Sequence, residues 1–569
     1  MPPSPVSFER ATMLARLADE TFDVVVVGGG ITGVGVALDA ASRGLRVGLV
    51  ERDDFSSGTS SRSSKLVHGG LRYLQNREIR LVYEGLAERQ RLFKLAPHLV
   101  KLLPFMIPIL TRDGVINPKI ARALGSAMWM YDLTGGVRIG RFHERLSSEE
   151  ALAHLPTMSA DRLASAYLYY DAQTDDARLC LTVARTAAAH GAVVANHAAV
   201  VGMGKDASGG VDRVMVEADG RRFDVRTRLV VNATGVWADD LRALDEGTHP
   251  STIRPAKGIH LTVPWTKVRN DIAVVIPVPR DKRSLFVVPW GDLTYVGTTD
   301  TDYDGPLEEP QCTPEDIGYV LNALNHAVTT KITPADVTGT WAGLRPLVKA
   351  ATSGRTADLS RRHSVTTSGS GVVTVTGGKL TTYRRMAADA VDVAAARLGI
   401  GEPSRTARIP LLGAEGYTDP PPGSSEATHL ASRYGSEAPL VEALLDSDGS
   451  LARPLVPGLP YLRGEAVWAV RHEMARTLDD VLSRRARARI LARDDSVAAA
   501  ADVAALLAPE LGWDRAETQR QVDQYTAAAR AERTSAGLPE AYLAAALAPA
   551  APAPGRDGAD RAQAPAGRR

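Results

Sequence analysis

The chain reads as an α/β protein: a nucleotide-binding domain on a parallel sheet, interleaved with an antiparallel-sheet domain and followed by a C-terminal α-helical domain. Three observations predict this. Residues 23–51 run from a valine-only strand through a glycine-rich turn and an Ala-rich helix into a second short strand that ends in an acid. From there to about residue 400, Val-rich strand-like runs alternate with helical stretches and long insertions, as two interleaved units would. Beyond the Pro/Gly-rich break at 419–423 come Ala-, Leu- and Arg-rich helices up to about residue 547.

The first element carries the most chemistry. A buried parallel strand at 24–27 leading into Gly28, Gly29 and Gly30 predicts a tight turn where backbone N–H groups at a helix start approach a pyrophosphate. Thr32 and Gly33 fall in the first turn of that helix. Glu51 lies 23 residues beyond Gly28, at the end of the second strand, placed for ribose hydroxyls, with Arg52 beside it. An acid after a strand is often only a solvated end, and a lone G-x-G-x-x-G is common. Here strand, turn, helix, strand and acid occur in order, which marks a Rossmann-like dinucleotide site.

The following loop selects the dinucleotide. Residues 56–73 contain Thr59, Ser60, Ser61, Ser64, Lys65, Leu66, His68, Gly69 and Gly70, hydroxyl donors and glycines that let backbone lie against a second phosphate and a flat ring. A mobile Ser-rich linker would lack the embedded Lys-Leu-Val-His. Two later strands end so as to return the chain to the same cofactor. One is 229–235, closing on Ala233, Thr234 and Gly235 with Trp237 beyond; the other is 372–381, closing on Gly378, Lys379, Leu380 and Thr381. Val200 is a further candidate wall. The expected cofactor is non-covalent FAD.

At 569 residues with 44% hydrophobic content, the chain can bury a large core across two or three domains. A net charge of +1 excludes global steering to nucleic acid, so an anionic substrate needs a local cationic cluster. Cys180 and Cys312 have neither metal-ligand nor disulfide spacing, so no metal is expected and redox chemistry falls to the cofactor. The first twenty residues carry charges and no apolar segment, which predicts a protein without a secretory signal that stays in the cytoplasm. The apolar run 99–110 is interrupted by Lys101, Pro104 and Pro108 and is too short to span a bilayer. Residues 92–131 mix apolar and basic side chains, suiting either a lipid-facing surface or a packed helix followed by a Pro-bounded strand.

The expected domains are an N-terminal extension over 1–22, a cofactor domain over 23–414 with substrate parts near 101–171 and 257–348, and a helical cap over 415–547. A disordered Ala/Pro-rich tail covers 548–569. The arginines of 484–489 read as a solvated helix face, or as a contact for phospholipid headgroups.

Eight strings occur in order: Gly28-x-Gly-x-x-Gly33, Ser63-Ser-Lys-Leu-Val-His-Gly-Gly-Leu-Arg-Tyr73, Asp175-Asp-Ala-Arg-Leu179, Asn232-Ala-Thr-Gly235, Lys257-Gly-Ile-His260, Gly297-Thr-Thr-Asp300, Gly343-Leu-Arg-Pro346 and Gly377-Gly-Lys-Leu-Thr-Thr-Tyr-Arg384. Together they resemble the FAD-dependent glycerol-3-phosphate dehydrogenases over about residues 20–480. The second and last are far more specific than the dinucleotide fingerprint. The resemblance implies oxidation of sn-glycerol 3-phosphate to dihydroxyacetone phosphate, membrane quinone as electron acceptor, peripheral association with the inner face of the cell membrane, and a homodimer.

Such a reaction needs a hydride acceptor, a base for the hydroxyl proton and cations for a dianion. The resemblance brings Arg72, Tyr73, Arg345, Arg361 and Lys379 to the substrate, with His260 as base or substrate ligand and Arg345 and Lys379 supporting the developing charge. His68 and Tyr73 are rival bases, and any one of these residues taken alone is more often structural. An oxidase that reduces oxygen to hydrogen peroxide shares the same motifs. More distant readings are an amine or amino-acid oxidase, which would need a carboxylate clamp, and a non-catalytic flavin-binding sensor.

Overall fold

The computed structural model describes residues 8–70, 78–111, 129, 140–279, 281, 283–349, 362–420 and 425–547. Arg72, Tyr73, Arg361, most of 112–131 and the tail lie outside the described residues.

Strand Val24–Val27 is buried at every position because sheet neighbours flank it and helices cover both faces. It sits inside a six-stranded sheet ordered Ser364–Thr367, Val373–Thr376, Val230–Asn232, Val24–Val27, Val47–Val50, Val193–Ala195. All pairings are parallel except that of the edge strand Ser364–Thr367. Helix Ile31–Ser42 links two of these strands and packs against helices Asp176–Ala189 and Tyr383–Leu398. A smaller sheet of Ala199–Lys205, Val211–Ala218 and Arg221–Thr227 is joined by Thr21–Phe22.

Among the described residues, the second large sheet has ten strands. Ser284–Trp290 and Leu293–Gly297 form the hairpin expected from their sequence, and Lys101–Leu110 pairs with Leu163–Gln173 deep in the sheet. The segment around 92–110 therefore follows the packed alternative: helix Ile79–Leu95, then a strand carrying both prolines. Strand Gly339–Val348 pairs antiparallel with Ile253–Pro264, setting Gly343 opposite Gly258 and Trp341 opposite His260. Helix Pro314–Ala327 covers one face of this sheet, and the C-terminal helices cover part of the other.

Those helices, among them Arg463–Glu473, Arg493–Leu511 and Arg515–Ser535, share the sheet's core through Val481, Leu482, Val503 and Leu507, while Leu430, Tyr434, Val441 and Trp468 build a cluster of their own. Ion pairs fasten the layer to the cofactor domain. Arg484 and Arg485 clasp Asp54 and Arg487 reaches Asp176, while Arg489 meets Glu532 within the helical layer itself. The arginines of 484–489 are thus neither a solvated face nor a lipid contact: their side chains are between 1% and 11% exposed. Charges withdrawn from water this far persist only when paired, and Asp54 and Asp176 come from chain hundreds of residues upstream.

Candidate active site

The two large sheets enclose a cavity of about 520 Å³, lined by residues from every segment that the sequence singled out for the cofactor. Gly28 holds φ +109°, and a Cβ there would come 2.7 Å from the Ala233 carbonyl oxygen. A Cβ on Gly33 would overlap the Gly28 carbonyl oxygen, so strand and helix meet only through glycines. Helix Ile31–Ser42 opens on Gly30 with no side-chain cap, so its positive end faces the cavity at Gly30, Ile31 and Thr32. Ser60 Oγ accepts the Ile31 N–H at 2.9 Å. This bare cradle fits the pyrophosphate of a dinucleotide.

Glu51 accepts N–H bonds from Gly29 at 2.5 Å and Asp53 at 2.9 Å, which leaves lone pairs for ribose hydroxyls. Burial raises its carboxyl above the ordinary value. Arg52 lies over the Trp237 ring at 4.9 Å, beside Val200 in the same lining. Thr59, Ser64, Leu66, His68, Ala233, Thr234, Gly235, Gly378, Leu380 and Thr381 complete the expected wall. Thr381 Oγ1 accepts the His68 N–H at 3.1 Å, tying the flavin loop to the turn after the last strand. Burial pushes the His68 imidazole down to about 4, helped by the nearby Lys379 and Arg89 cations, so it stands neutral.

Six expected cofactor residues stand behind this surface. Gly29 packs against Glu51 and Phe55, Gly33 against Gly28, and the Ser61 carbonyl takes bonds from Lys65 and Arg487. Gly69 and Gly70 are buried outside the lining. Lys65 points away from the cavity: Nζ is 3.1 Å from Asp176 Oδ1 and 4.6 Å from the centre of the Trp341 ring.

His260, Arg345 and Lys379 all line the same cavity. The His260 ring is 2% exposed, its Nε2 is 2.9 Å from Ser64 Oγ, and Trp341 stacks on it at 4.7 Å and 9°. Burial, reinforced by the Lys65 and Arg345 charges, holds this imidazole well below its ordinary value. Arg345 is held by Asp300 at 3.2 Å, Thr298 Oγ1 at 3.1 Å and the Thr299 carbonyl at 3.1 Å. Lys379 follows Gly377 and Gly378, which take φ +76° and +81°. The left-handed backbone at both positions is what favours glycine in this turn.

Arg62, Gly258, Thr298 and Trp341 were not singled out by the sequence reading. Thr298 and Gly258 lie inside recognised strings, whereas Arg62 sits between two serines of the flavin loop and lines the cavity. The Asp175–Leu179 string is structural: Asp175 caps helix Asp176–Ala189, Asp176 holds Lys65, and Arg178 pairs with Glu473. Asp54, His197 and Asp480 bring ligand atoms within 4.8 Å of one another. Arg484 and Arg485 already neutralise those carboxylates.

Residues 23–384 match the family model of FAD dependent oxidoreductases, and 404–518 that of the C-terminal domain of alpha-glycerophosphate oxidase. The chain is 42% identical to glycerol-3-phosphate dehydrogenase 2 of Mycobacterium bovis, covering 96% of this chain and 94% of that one. It is 36% identical to the human mitochondrial glycerol-3-phosphate dehydrogenase, over 92% of this chain and 74% of the human one. The FAD-complexed glycerol-3-phosphate dehydrogenase of Bacillus halodurans superposes with a TM-score of 0.75 at 30% identity, over 91% of this chain and 97% of that one. Glycine oxidase from Geobacillus kaustophilus, at 19% identity and a TM-score of 0.51 over 69% of this chain and 98% of that one, shares the fold. With FAD as its cofactor and an FAD-oxidoreductase fold, the chain belongs to the FAD-dependent glycerol-3-phosphate dehydrogenase family.

Proposed function

We propose that the chain oxidises sn-glycerol 3-phosphate to dihydroxyacetone phosphate and passes the electrons to membrane quinone. The observation that carries this reading is that His260, Arg345 and Lys379 all line the dinucleotide cavity. When bound, FAD supplies the acceptor for the hydride that leaves C2 of the substrate. Gly28, Gly30, Thr32, Glu51 and Ser60 are the residues that would hold its phosphates and ribose.

Arg345 and Lys379 supply the positive charge that a phosphate dianion requires, with the Arg345 fork held in place by Asp300. Arg72 and Tyr73, which lie in a family string, and Arg361, on the resemblance alone, are proposed to complete this clamp. A neutral imidazole in a buried site is competent to take a proton. The substrate hydroxyl gives its proton to Ser64 Oγ as Ser64 gives its own to His260 Nε2, and the C2–O bond becomes a carbonyl as the hydride departs.

Peripheral association with the inner face of the cell membrane is supported by exposed apolar side chains. Ile79 and Tyr83, one helical turn apart, are 51% and 49% exposed, and Trp129 is 57% exposed. No described helix is long and apolar enough to cross a membrane. A homodimer is part of the same reading, supported by the resemblance alone.

The test is substrate-dependent reduction of a soluble quinone analogue, with peroxide formation followed in parallel, and flotation with anionic liposomes. Rapid quinone reduction with little peroxide supports the reading; fast peroxide production with inert quinone replaces it with an oxidase.

A further inference from the structure

Lys65 belongs to the most specific string of the flavin loop, yet its side chain is directed behind the cavity wall. It takes the left-handed backbone at φ +56°, which turns its chain inward while Ser64 stays at the cavity surface. Nζ is fixed by Asp176 at 3.1 and 3.2 Å and by the Ser61 carbonyl at 3.2 Å. Trp341 touches both groups of interest: Lys65 Nζ lies 4.6 Å from its ring centre, and the His260 ring stacks on it at 4.7 Å. The indole Nε1 donates to the Ser63 carbonyl at 3.1 Å, and Tyr295 donates to the Ser64 carbonyl at 2.9 Å while meeting His260 edge-on at 6.2 Å.

We propose that Lys65 and Trp341 are positioning residues for the proton step, forming with Asp176 a fixed cation–aromatic–imidazole arrangement that keeps His260 neutral and in one orientation. The proposal rests on His260 receiving the substrate proton. Its sign follows from the charges facing the imidazole. Arg345 faces it from the cavity and Lys65 from behind the wall, both opposing imidazolium. Around Lys65 lie Asp175, Asp176 and Arg487, and Arg433 reaches Asp175 at 3.4 Å from the far side. Loss of the Lys65 charge removes one of the two cations that oppose imidazolium, which would ease protonation of His260 and weaken the base at acid pH. Trp341 also fixes the ring plane, so that Nε2 stays on Ser64.

The experiment is anaerobic stopped-flow reduction of the bound flavin by sn-glycerol 3-phosphate from pH 5.5 to 8.5, in FAD-loaded wild type, Lys65→Met, Lys65→Arg and His260→Asn. The wild-type rate should show no acid limb near pH 6.5. In Lys65→Met, where burial and Arg345 still oppose imidazolium, an acid limb should enter only at the acid end of the range, cutting the rate at pH 5.5 to about half of that at pH 8, with KM at pH 8 within about threefold of wild type. Lys65→Arg should restore the flat profile. A folded, FAD-loaded Lys65→Met with a flat profile overturns the proposal.

Nitrogen-15 NMR of the wild-type holoenzyme gives a second test that needs no Lys65 variant to fold. The His260 resonance, assigned by its loss in His260→Asn, should stay that of a neutral ring to pH 5.5, and titration near 6.5 would overturn the proposal. If His260→Asn reduces flavin at the wild-type rate, the base assignment itself fails, an outcome distinct from failure of the Lys65 proposal.

Discussion

The Arg345 guanidinium crosses the sheet directly over Gly258, where any side chain would occupy the space taken by Nη2. The two residues sit on neighbouring antiparallel strands, and the missing Cβ leaves the cation free to meet Thr298, Thr299 and Asp300 at the cavity edge. Gly258→Ala should therefore displace the phosphate clamp while leaving the cofactor in place. Losing one charge-assisted pair costs about 1.5–3 kcal/mol, so KM for sn-glycerol 3-phosphate should rise by roughly 10- to 100-fold. Steady-state kinetics with a flavin-to-protein ratio check this; an unchanged KM would remove Arg345 from the clamp.

Gly33→Ala tests the cofactor cradle. Its new Cβ overlaps the Gly28 carbonyl oxygen, a backbone atom with no freedom to retreat without opening the strand–helix turn. The purified variant should carry little FAD and unfold at a lower temperature. Full flavin occupancy would show that the turn does not set the pyrophosphate site.

The C-terminal layer should depend on its ion pairs. Arg185, on a helix of the cofactor domain, makes a two-pronged pair with Glu437 at 2.7 and 3.0 Å, with side chains 3% and 6% exposed. Glu437→Gln leaves the guanidinium buried with a weaker partner and should destabilise the fold by about 3 kcal/mol, whereas Arg185→Leu with Glu437→Leu should recover most of that loss. Thermal and denaturant unfolding check it, with a stable single variant as the contrary result.

Local chemistry was legible in the sequence. A positive-φ turn at Gly28 or Gly377 accepts almost nothing but glycine, and a buried central strand reads as a run of valines, so cradle and sheet could be placed from residue type and spacing. Long-range partnership was not. Lys65 sits in a cofactor loop by sequence, yet it turns inward to pair with Asp176, 111 positions away. Arg484, Arg485 and Arg487 read as solvated because carboxylates that bury them lie more than 300 positions upstream at Asp54 and Asp176. Likewise, nothing local announces that Gly339–Val348 pairs with Ile253–Pro264 and stacks Trp341 on His260.

The most direct test of the central claim is the visible absorption of the FAD-loaded protein under anaerobic conditions, before and after addition of sn-glycerol 3-phosphate. The flavin band should bleach with this substrate and remain with glycerol or an amino acid, and His260→Asn should slow the bleaching by about 10²- to 10⁴-fold. A flavin band that persists with sn-glycerol 3-phosphate in folded, FAD-loaded protein would contradict the account.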